Sequence, residues 1–344
     1  MKNKMKAWRL HDFGMNNFSM DIISVPVPNF NEVLIKVSAV SLNYRDKAIL
    51  EGNYSADILK NGPLTLVSDA VGVIVAIGSG VRRFKEGDRV LTHLHSNWLD
   101  DPRKPDEADF MFGGPLQGAL AEFMVAHENG LVMSPAYLTD EEACTLPIAA
   151  LTAWYALNSI GQLKRGNTVL IQGTGGVALF AVQIAKAMGV EATVITSQNT
   201  KGEKALQLGA SHYINYTSEP NWDERVLELT HNEGVDEVLE VAGGDLNKSI
   251  RATKTSGLIT LIGFLEHPEI SFNMFPVIIK QINLQGISTG HRKAFEEMID
   301  FFNVHRINPV IDSVHTFENS PDAFRRLEEG AFGKIVIKVN PLKQ

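Results

Sequence analysis

The sequence predicts an α/β protein built from a β-rich domain and a doubly wound parallel sheet. Three observations predict it. Residues 1–133 carry short alternating strands punctuated by Gly and Pro, the rhythm of a small barrel or sandwich. From Asn167 onward strand and helix alternate at the spacing of a parallel sheet. A glycine turn, Gly173-Thr174-Gly175-Gly176-Val177-Ala178, joins the first strand of that alternation to its first helix. The chain has 344 residues, enough for two domains at ~100–200 residues each.

In chain order, Glu32–Leu42 alternates, with Val33, Ile35, Val37 and Ala39 on one face and Lys36 and Ser38 on the other, and reads as a strand. Val71–Ile77 is a β-branched run closed by Gly78-Ser79-Gly80. Arg89–Leu91 follows the turn Glu86-Gly87-Asp88. His95–Gly114 is polar and Pro/Asp-rich and reads as a surface excursion. Strands are then expected at Thr168–Ile171, Ala192–Thr196, His212–Asn215, Glu237–Val241, Leu258–Ile262 and Asn283–Ile287. Between them come helices at Val177–Met188, Lys201–Leu208, Asp223–Thr230 and Asp245–Lys254. The tail returns to the first pattern: helices near Phe295–Asn303 and Pro321–Glu329, then a strand at Ile335–Val339.

Composition narrows the function. Charged residues are 21% and hydrophobic residues 44%, values of a folded and not a disordered chain. The net charge of −8, with no Lys/Arg-rich run, gives no electrostatic footprint for nucleic acid or anionic lipid. No apolar run reaches the ~18 residues of a membrane span. Met1–Arg9 has three lysines with no apolar stretch after them, so no secretory leader is expected and the compartment expected is the cytoplasm. The single cysteine, Cys144, excludes an intrachain disulfide and a cysteine-rich zinc site.

The glycine turn points to a dinucleotide. Its first glycine makes the tight turn and Gly175 lets backbone approach a pyrophosphate. A small residue at Ala178 packs the helix close to the strand, and the helix N-terminus faces the anion. No Gly-Lys-Ser/Thr follows, so this is no nucleoside-triphosphate loop. An acid at the end of the second strand would bind ribose hydroxyls and repel a 2′-phosphate. This chain has Thr196-Ser197-Gln198-Asn199-Thr200-Lys201 there, and its hydroxyl and ammonium groups suit a phosphate. NADP(H) is therefore the expected cofactor, with Ser197 and Lys201 among its contacts; the alternative for both residues is a solvated helix start.

The ordered motifs resemble the medium-chain dehydrogenase/reductase superfamily, in its quinone oxidoreductase-like and alcohol dehydrogenase-like branch. They are Asn31-Glu32-Val33, Ser41-Leu42-Asn43-Tyr44-Arg45-Asp46, Gly78-Ser79-Gly80-Val81, Glu86-Gly87-Asp88-Arg89-Val90 and Leu151-Thr152-Ala153-Trp154, then Gly173–Ala178, Gly209-Ala210, Ile214-Asn215-Tyr216, Gly234-Val235-Asp236 and Gly333-Lys334. The resemblance spans essentially the whole chain. It implies a GroES-like catalytic domain from residues 1–133 and 291–344, around a Rossmann NADP(H)-binding domain at 134–290, and a homodimer joined through the last Rossmann strand. Zinc-dependent members use a cysteine in the segment similar to Ser41–Asp46, a Gly-His-Glu, and a Cys or Asp before the Rossmann domain. This chain has Asn43, Ser68-Asp69-Ala70 and Ile148 at those places. Ile148 cannot ligate and Asn43 is a poor ligand, so no metal is expected. His93 and His95 lack a third partner and read as a satisfied or exposed pair. Cys144 reads as a packed thiol.

Reduction of an already electrophilic acceptor needs less help than alcohol oxidation without zinc. The expectation is NADPH-dependent hydride transfer to a quinone or an activated alkene, a small-molecule electron acceptor. Tyr54, in Gly52-Asn53-Tyr54, matches a proton-donor position of related enoyl thioester reductases. Asn43 stands in the lost cysteine position, and Asp46 orients that loop. Each has a bland alternative as a turn residue. Motif matches place Thr152 and Ser288 near the nicotinamide and Tyr216 near the 2′-phosphate. Ala242, Gly263, Phe264 and Leu265 lie at carboxyl ends of parallel strands. Lys334 reads as a cofactor contact or a solvated lysine. Phe110–Leu120 and Phe272–Ile279 read as an apolar pocket, core or dimer surface. Competing readings are an alcohol dehydrogenase or carbonyl reductase, without zinc or with zinc held by Asp69 and its neighbours, and a non-catalytic NADPH-binding protein.

Overall fold

A computed structural model describes residues 4–105, 110–263 and 269–340. They form two compact units, Met1–Ala149 with His291–Gln344, and Ala150–Gly290. In the first, β1 (Lys4–Leu10) and β2 (Phe18–Ser24) make an antiparallel pair. Next come β3 (Glu32–Leu42), β4 (Leu64–Thr65), which pairs with β1, β5 (Asp69–Ile77), β6 (Arg89–Thr92), β7 (Phe123–His127) and β8 (Leu131–Met133). The long β3 is the spine of the larger sheet. It pairs antiparallel with both β5 and β7, so side chains on its two faces are buried and Val33, Ile35, Val37, Ala39 and Val40 are all within 2% of full burial. Helix α1 (Tyr44–Leu50) follows β3 directly, and α2 (Asp140–Ala143) lies near the end of this stretch.

The second unit opens with α3 (Leu151–Trp154), then alternates β9 (Thr168–Gln172), α4 (Gly176–Met188), β10 (Glu191–Thr196), α5 (Asn199–Leu208), β11 (His212–Asn215), α6 (Trp222–Leu229), β12 (Val235–Glu240), α7 (Leu246–Ala252), β13 (Thr253–Leu261), α8 (Met274–Lys280) and β14 (Asn283–Gly286). The sheet order is β11-β10-β9-β12-β13-β14, every pair parallel, so the order reverses at β9. That reversal is the topological switch where such sheets bind ligands. Leu170, Ile195, Ile214, Val226, Val238, Ile250 and Ile259 build its core. The expected helix Asp245–Lys254 stops at Ala252, because β13 begins early at Thr253. Its register against β12 then shifts over an irregular stretch with Ser256 at φ 59.

The chain then returns to the first unit as α9 (Arg292–His305), β15 (Ile311–Thr316), α10 (Ser320–Glu328) and β16 (Lys334–Lys338). Strand β16 pairs antiparallel with β3, Ile335 opposite Leu42, which seats the last strand against the middle of the first sheet. Phe324, Ile335 and Ile337 join Leu10, Ile35, Leu42, Ile49 and Leu66 in one core.

Two expectations need correction. Residues 134–149, expected in the second unit, belong to the first. Arg89 bonds Ser134 Oγ and the carbonyls of Pro135 and Leu138 and pairs with Asp140, and Lys338 pairs with Glu141. Nor is His95–Gly114 only a surface excursion: His95, Trp98 and Phe112 are buried, while Asp101–Pro105 are exposed and 106–109 lie outside the described residues. Among the described residues no helix is long and apolar enough to cross a membrane.

Candidate functional site

In the first unit, the junction of β3 and α1 carries a buried charge cluster. Asn43 caps α1: its backbone N–H donates to Asp46 Oδ2 at 2.8 Å, and Asp46 N donates back to the Asn43 carbonyl at 3.0 Å. The acid three positions after the cap thus closes one half of a capping box, while the Asn43 side chain is left for another partner. Asp46 is fully buried and its other oxygen makes no hydrogen bond among the described residues. Burial pushes its pKa up to about 6, against the pull of Arg45 and the Asn43 N–H.

Lys334, the first residue of β16, reaches this junction. Its Nζ donates to the Leu42 carbonyl at 2.7 Å and to Asn43 Oδ1 at 2.6 Å, and lies 3.9 Å from Asp69 Oδ2. Asp69 opens β5; Ser68 Oγ donates to its Oδ1 at 2.9 Å and Ile148 N to its Oδ2 at 3.1 Å. Lys334 is 3% exposed and Asp69 0%. Burial pulls the ammonium down from its ordinary value and pushes the carboxyl up, and their mutual attraction opposes both. Lys334 thus departs from the expectation of a cofactor contact or a solvated lysine: its donors are spent inside the first unit. Asn43 is likewise turned inward, its amide oxygen on Lys334 and its amide nitrogen buried. Cys144, at the end of α2, is fully buried and its thiol is pushed well up by desolvation.

Tyr54 follows α1 in an irregular turn. It is 36% exposed, its ring lies under the Arg45 guanidinium at 4.9 Å, and its hydroxyl makes no hydrogen bond among the described residues. Arg45, which the sequence reading passed over, is anchored through its guanidinium to the carbonyls of Phe112 and Gly114. Asn43, Asp46 and Tyr54 are therefore brought to one short helix and its exit. Only Tyr54 offers a polar atom with no partner of its own at an exposed position.

In the second unit the glycine turn has the geometry a pyrophosphate needs. Gly173 sits at φ 77, which favours glycine, and a Cβ added at Gly173 or Gly175 would project into open space. Gly175 caps α4 with no side-chain cap hydrogen bond, the kind of helix start that can receive an anion. Gln172, at the end of β9, accepts from Val241 N and Ala242 N at 3.2 Å each. Its amide also donates to Ser249 Oγ (3.3 Å), and Ser249 donates to Glu240 at 2.5 Å. This network, absent from the sequence reading, ties the turn after β12 to the glycine turn. Gly263 packs so close that a Cβ would meet the Val241 carbonyl.

At the end of β10, Ser197 is exposed, Lys201 lies in the first turn of α5, and Tyr216, also exposed, donates its N–H to the Thr196 carbonyl at 3.0 Å. No acid stands at that strand end. Thr152 in α3 is buried, and its hydroxyl makes no hydrogen bond among the described residues. Thr174 is nearly buried, Gly176 and Val177 form the first turn of α4, and Ser288 is exposed after β14. Phe264 and Leu265 lie outside the described residues. Phe272, Met274, Phe275, Ile278 and Ile279 form an exposed face on and beside α8, whereas Phe112, Ala119 and Leu120 are core.

Comparison with known proteins places these features. Residues 29–136 match the model of the alcohol dehydrogenase GroES-like domain and residues 176–303 that of the zinc-binding dehydrogenases. A zinc-type alcohol dehydrogenase-like protein of Schizosaccharomyces pombe is 35% identical over 91% of this chain and 92% of its own. The 2-methylene-furan-3-one reductase of Solanum lycopersicum is 30% identical over 98% of this chain and 80% of its own. Among solved structures, a candidate alcohol dehydrogenase from Sinorhizobium meliloti 1021 superposes with a TM-score of 0.93 at 40% identity, covering 98% of this chain and all of the other.

Zinc, which those names imply, does not fit the residues present. Asn43 Oδ1 and the Asp69 carboxylate already hold an ammonium, Ile148 offers only its backbone N–H to Asp69, and the buried Cys144 thiol is turned to the Glu141 carbonyl. Among the described residues no group of three or more His, Cys, Asp or Glu could hold a metal ion. His93 and His95 are both fully buried; His95 Nδ1 meets Arg103 at 3.2 Å, and burial lowers its pKa to about 2.

Proposed function

The chain belongs to the medium-chain dehydrogenase/reductase superfamily and is a nicotinamide-dependent oxidoreductase, and from that premise we propose that it uses NADPH to reduce a quinone or an activated alkene, an enal, enone or enoyl compound. The preference for NADPH rests on the end of β10: Ser197, Lys201 and Tyr216 surround the place of the adenosine 2′-substituent, with no carboxylate to repel a phosphate. Gly173, Thr174, Gly175, Gly176 and Val177 hold the pyrophosphate, and Thr152, Ala242, Gly263 and Ser288 border the nicotinamide. The bound dinucleotide supplies a hydride to the acceptor.

The observation that carries the reaction type is Tyr54. Its phenol is exposed and unpartnered, on a ring steadied by Arg45, so it can give a proton to the α-carbon or the enolate oxygen. Asn43, its amide committed to Lys334, positions the start of α1 instead of touching the acceptor, and Asp46 holds Asn43. Turnover of Tyr54→Phe with a 2-enal tests the assignment: kcat falls by about 10²-fold or more with KM little changed, and unchanged kcat removes Tyr54. The second reading, carbonyl or alcohol chemistry, rests on the alcohol dehydrogenase-like relatives. An allylic alcohol as product would favour it.

The partner is a second copy of the chain. Strand β14 ends its sheet with an open edge, and beside it α8 exposes Met274, Phe275, Ile278 and Ile279, each 60–68% accessible. Ile279→Asp with Phe275→Asp should convert a dimer to a monomer in light scattering. A dimer that survives both changes uses another surface.

A further inference from the structure

We propose that the Lys334 ammonium is the resident cation of the buried cluster, standing where zinc-dependent relatives hold their metal and occupying the Asn43 and Asp69 oxygens found there. The donor set around Nζ is that of a cation site: two neutral oxygens, the Leu42 carbonyl at 2.7 Å and Asn43 Oδ1 at 2.6 Å, and one carboxylate oxygen, Asp69 Oδ2, at 3.9 Å. An ammonium has three N–H donors, and here it faces three oxygens. The positions the superfamily uses for metal ligands, 43, 69 and 148, meet in this one cluster. Each is committed: Asn43 to Lys334, Asp69 to Lys334, Ser68 and Ile148 N, and Ile148 through backbone alone.

Charge and burial make the replacement exclusive. The ammonium lies against the Asp69 carboxylate with both side chains at most 3% exposed, and the buried Asp46 carboxyl, itself beside Arg45, also acts on it. A divalent ion entering beside it would set two cations a few ångströms apart without water between them. The buried Cys144 thiol is turned to the Glu141 carbonyl, to which it donates at 3.3 Å. The cation comes from the last strand, and β16 is zipped to β3 at Ile335 and Leu42. Lys334 is therefore also the link that positions the β3–α1 junction, upstream of Tyr54. This inference stands on the cluster alone and survives if the proposed acceptor or NADPH preference fails.

The test is metal content of the full chain after dialysis with zinc and then without it, read by plasma mass spectrometry, with thermal unfolding alongside. The wild type should retain essentially no zinc and gain no thermal stability from it. Lys334→Ala on its own supplies no third zinc ligand among the described residues and should stay metal-free as well. A second pair supplies ligands that suit zinc and also removes the buried carboxylate, so that the chain without Lys334 is not left with an unpaired charge. Asn43→Cys with Asp69→His should stay metal-free while Lys334 is present, and should bind close to one zinc once Lys334→Ala is added. Stoichiometric zinc in the wild type or in Asn43→Cys/Asp69→His, or no uptake by the folded Asn43→Cys/Asp69→His/Lys334→Ala chain, overturns the proposal.

Discussion

Glu237 sits in the middle of β12, fully buried, with Thr260 Oγ1 donating to one oxygen at 2.5 Å and the other oxygen unpartnered among the described residues. Burial pushes its pKa up to about 8. The fold therefore keeps a proton that the unfolded chain releases near pH 4.5. The folded state binds more protons across that interval, so stability falls as pH rises from about 4.5 towards 8. Glu237→Gln removes this dependence: urea unfolding should show the variant gaining on the wild type by about 1.4 kcal/mol per pH unit at most in that window. A pH-independent difference would contradict a protonated Glu237. Lys334→Met tests the buried cluster by a different route. It strands a buried carboxylate, and a loss of about 3–5 kcal/mol is expected, most of it recovered when Asp69→Asn is added. At this scale the sequence is a poor guide. Lys334 opens a strand, Lys-Ile-Val-Ile-Lys, in which Lys334 is buried and Lys338 is half-exposed, and no spacing tells them apart. Their difference lies in which partner strand brings an acceptor within reach.

At the scale of elements, the glycine turn and α4 act as one unit. Gly175→Asp would set a carboxylate at an uncapped helix N-terminus in open space, so the chain should fold with its melting temperature nearly unchanged. The same carboxylate occupies the pyrophosphate place, and NADPH affinity in a fluorescence titration should fall by about tenfold or more. Unchanged affinity would move the phosphates elsewhere. Elements with a strong period were legible: β3 and β11 have their expected bounds, and α4, α5 and α6 begin within two residues of expectation. Those whose limits depend on a partner were not. β13 starts early because Val235 pairs with Thr253, and β15 exists because β16 offers it a parallel edge. The Gln172–Ser249–Glu240 network was hidden for the same reason: its members are far apart in sequence and meet only when β9 and β12 become neighbours.

For the whole molecule, the motif order carried the family and the two-part architecture. The assignment of residues 134–149 followed only from contacts such as Arg89 with Asp140. The molecule's cofactor preference follows from one strand end: NADPH should bind more tightly than NADH, and Ser197→Asp should narrow or reverse that ranking by placing an acid where the 2′-phosphate is proposed to sit. Tighter NADH binding by the wild type would overturn it. The account's central claim is met most directly by incubating the full chain with NADPH and a medium-chain 2-enal and identifying the product. The account predicts NADPH consumption with the saturated aldehyde formed; an allylic alcohol, or consumption of NADH in preference to NADPH, would contradict it.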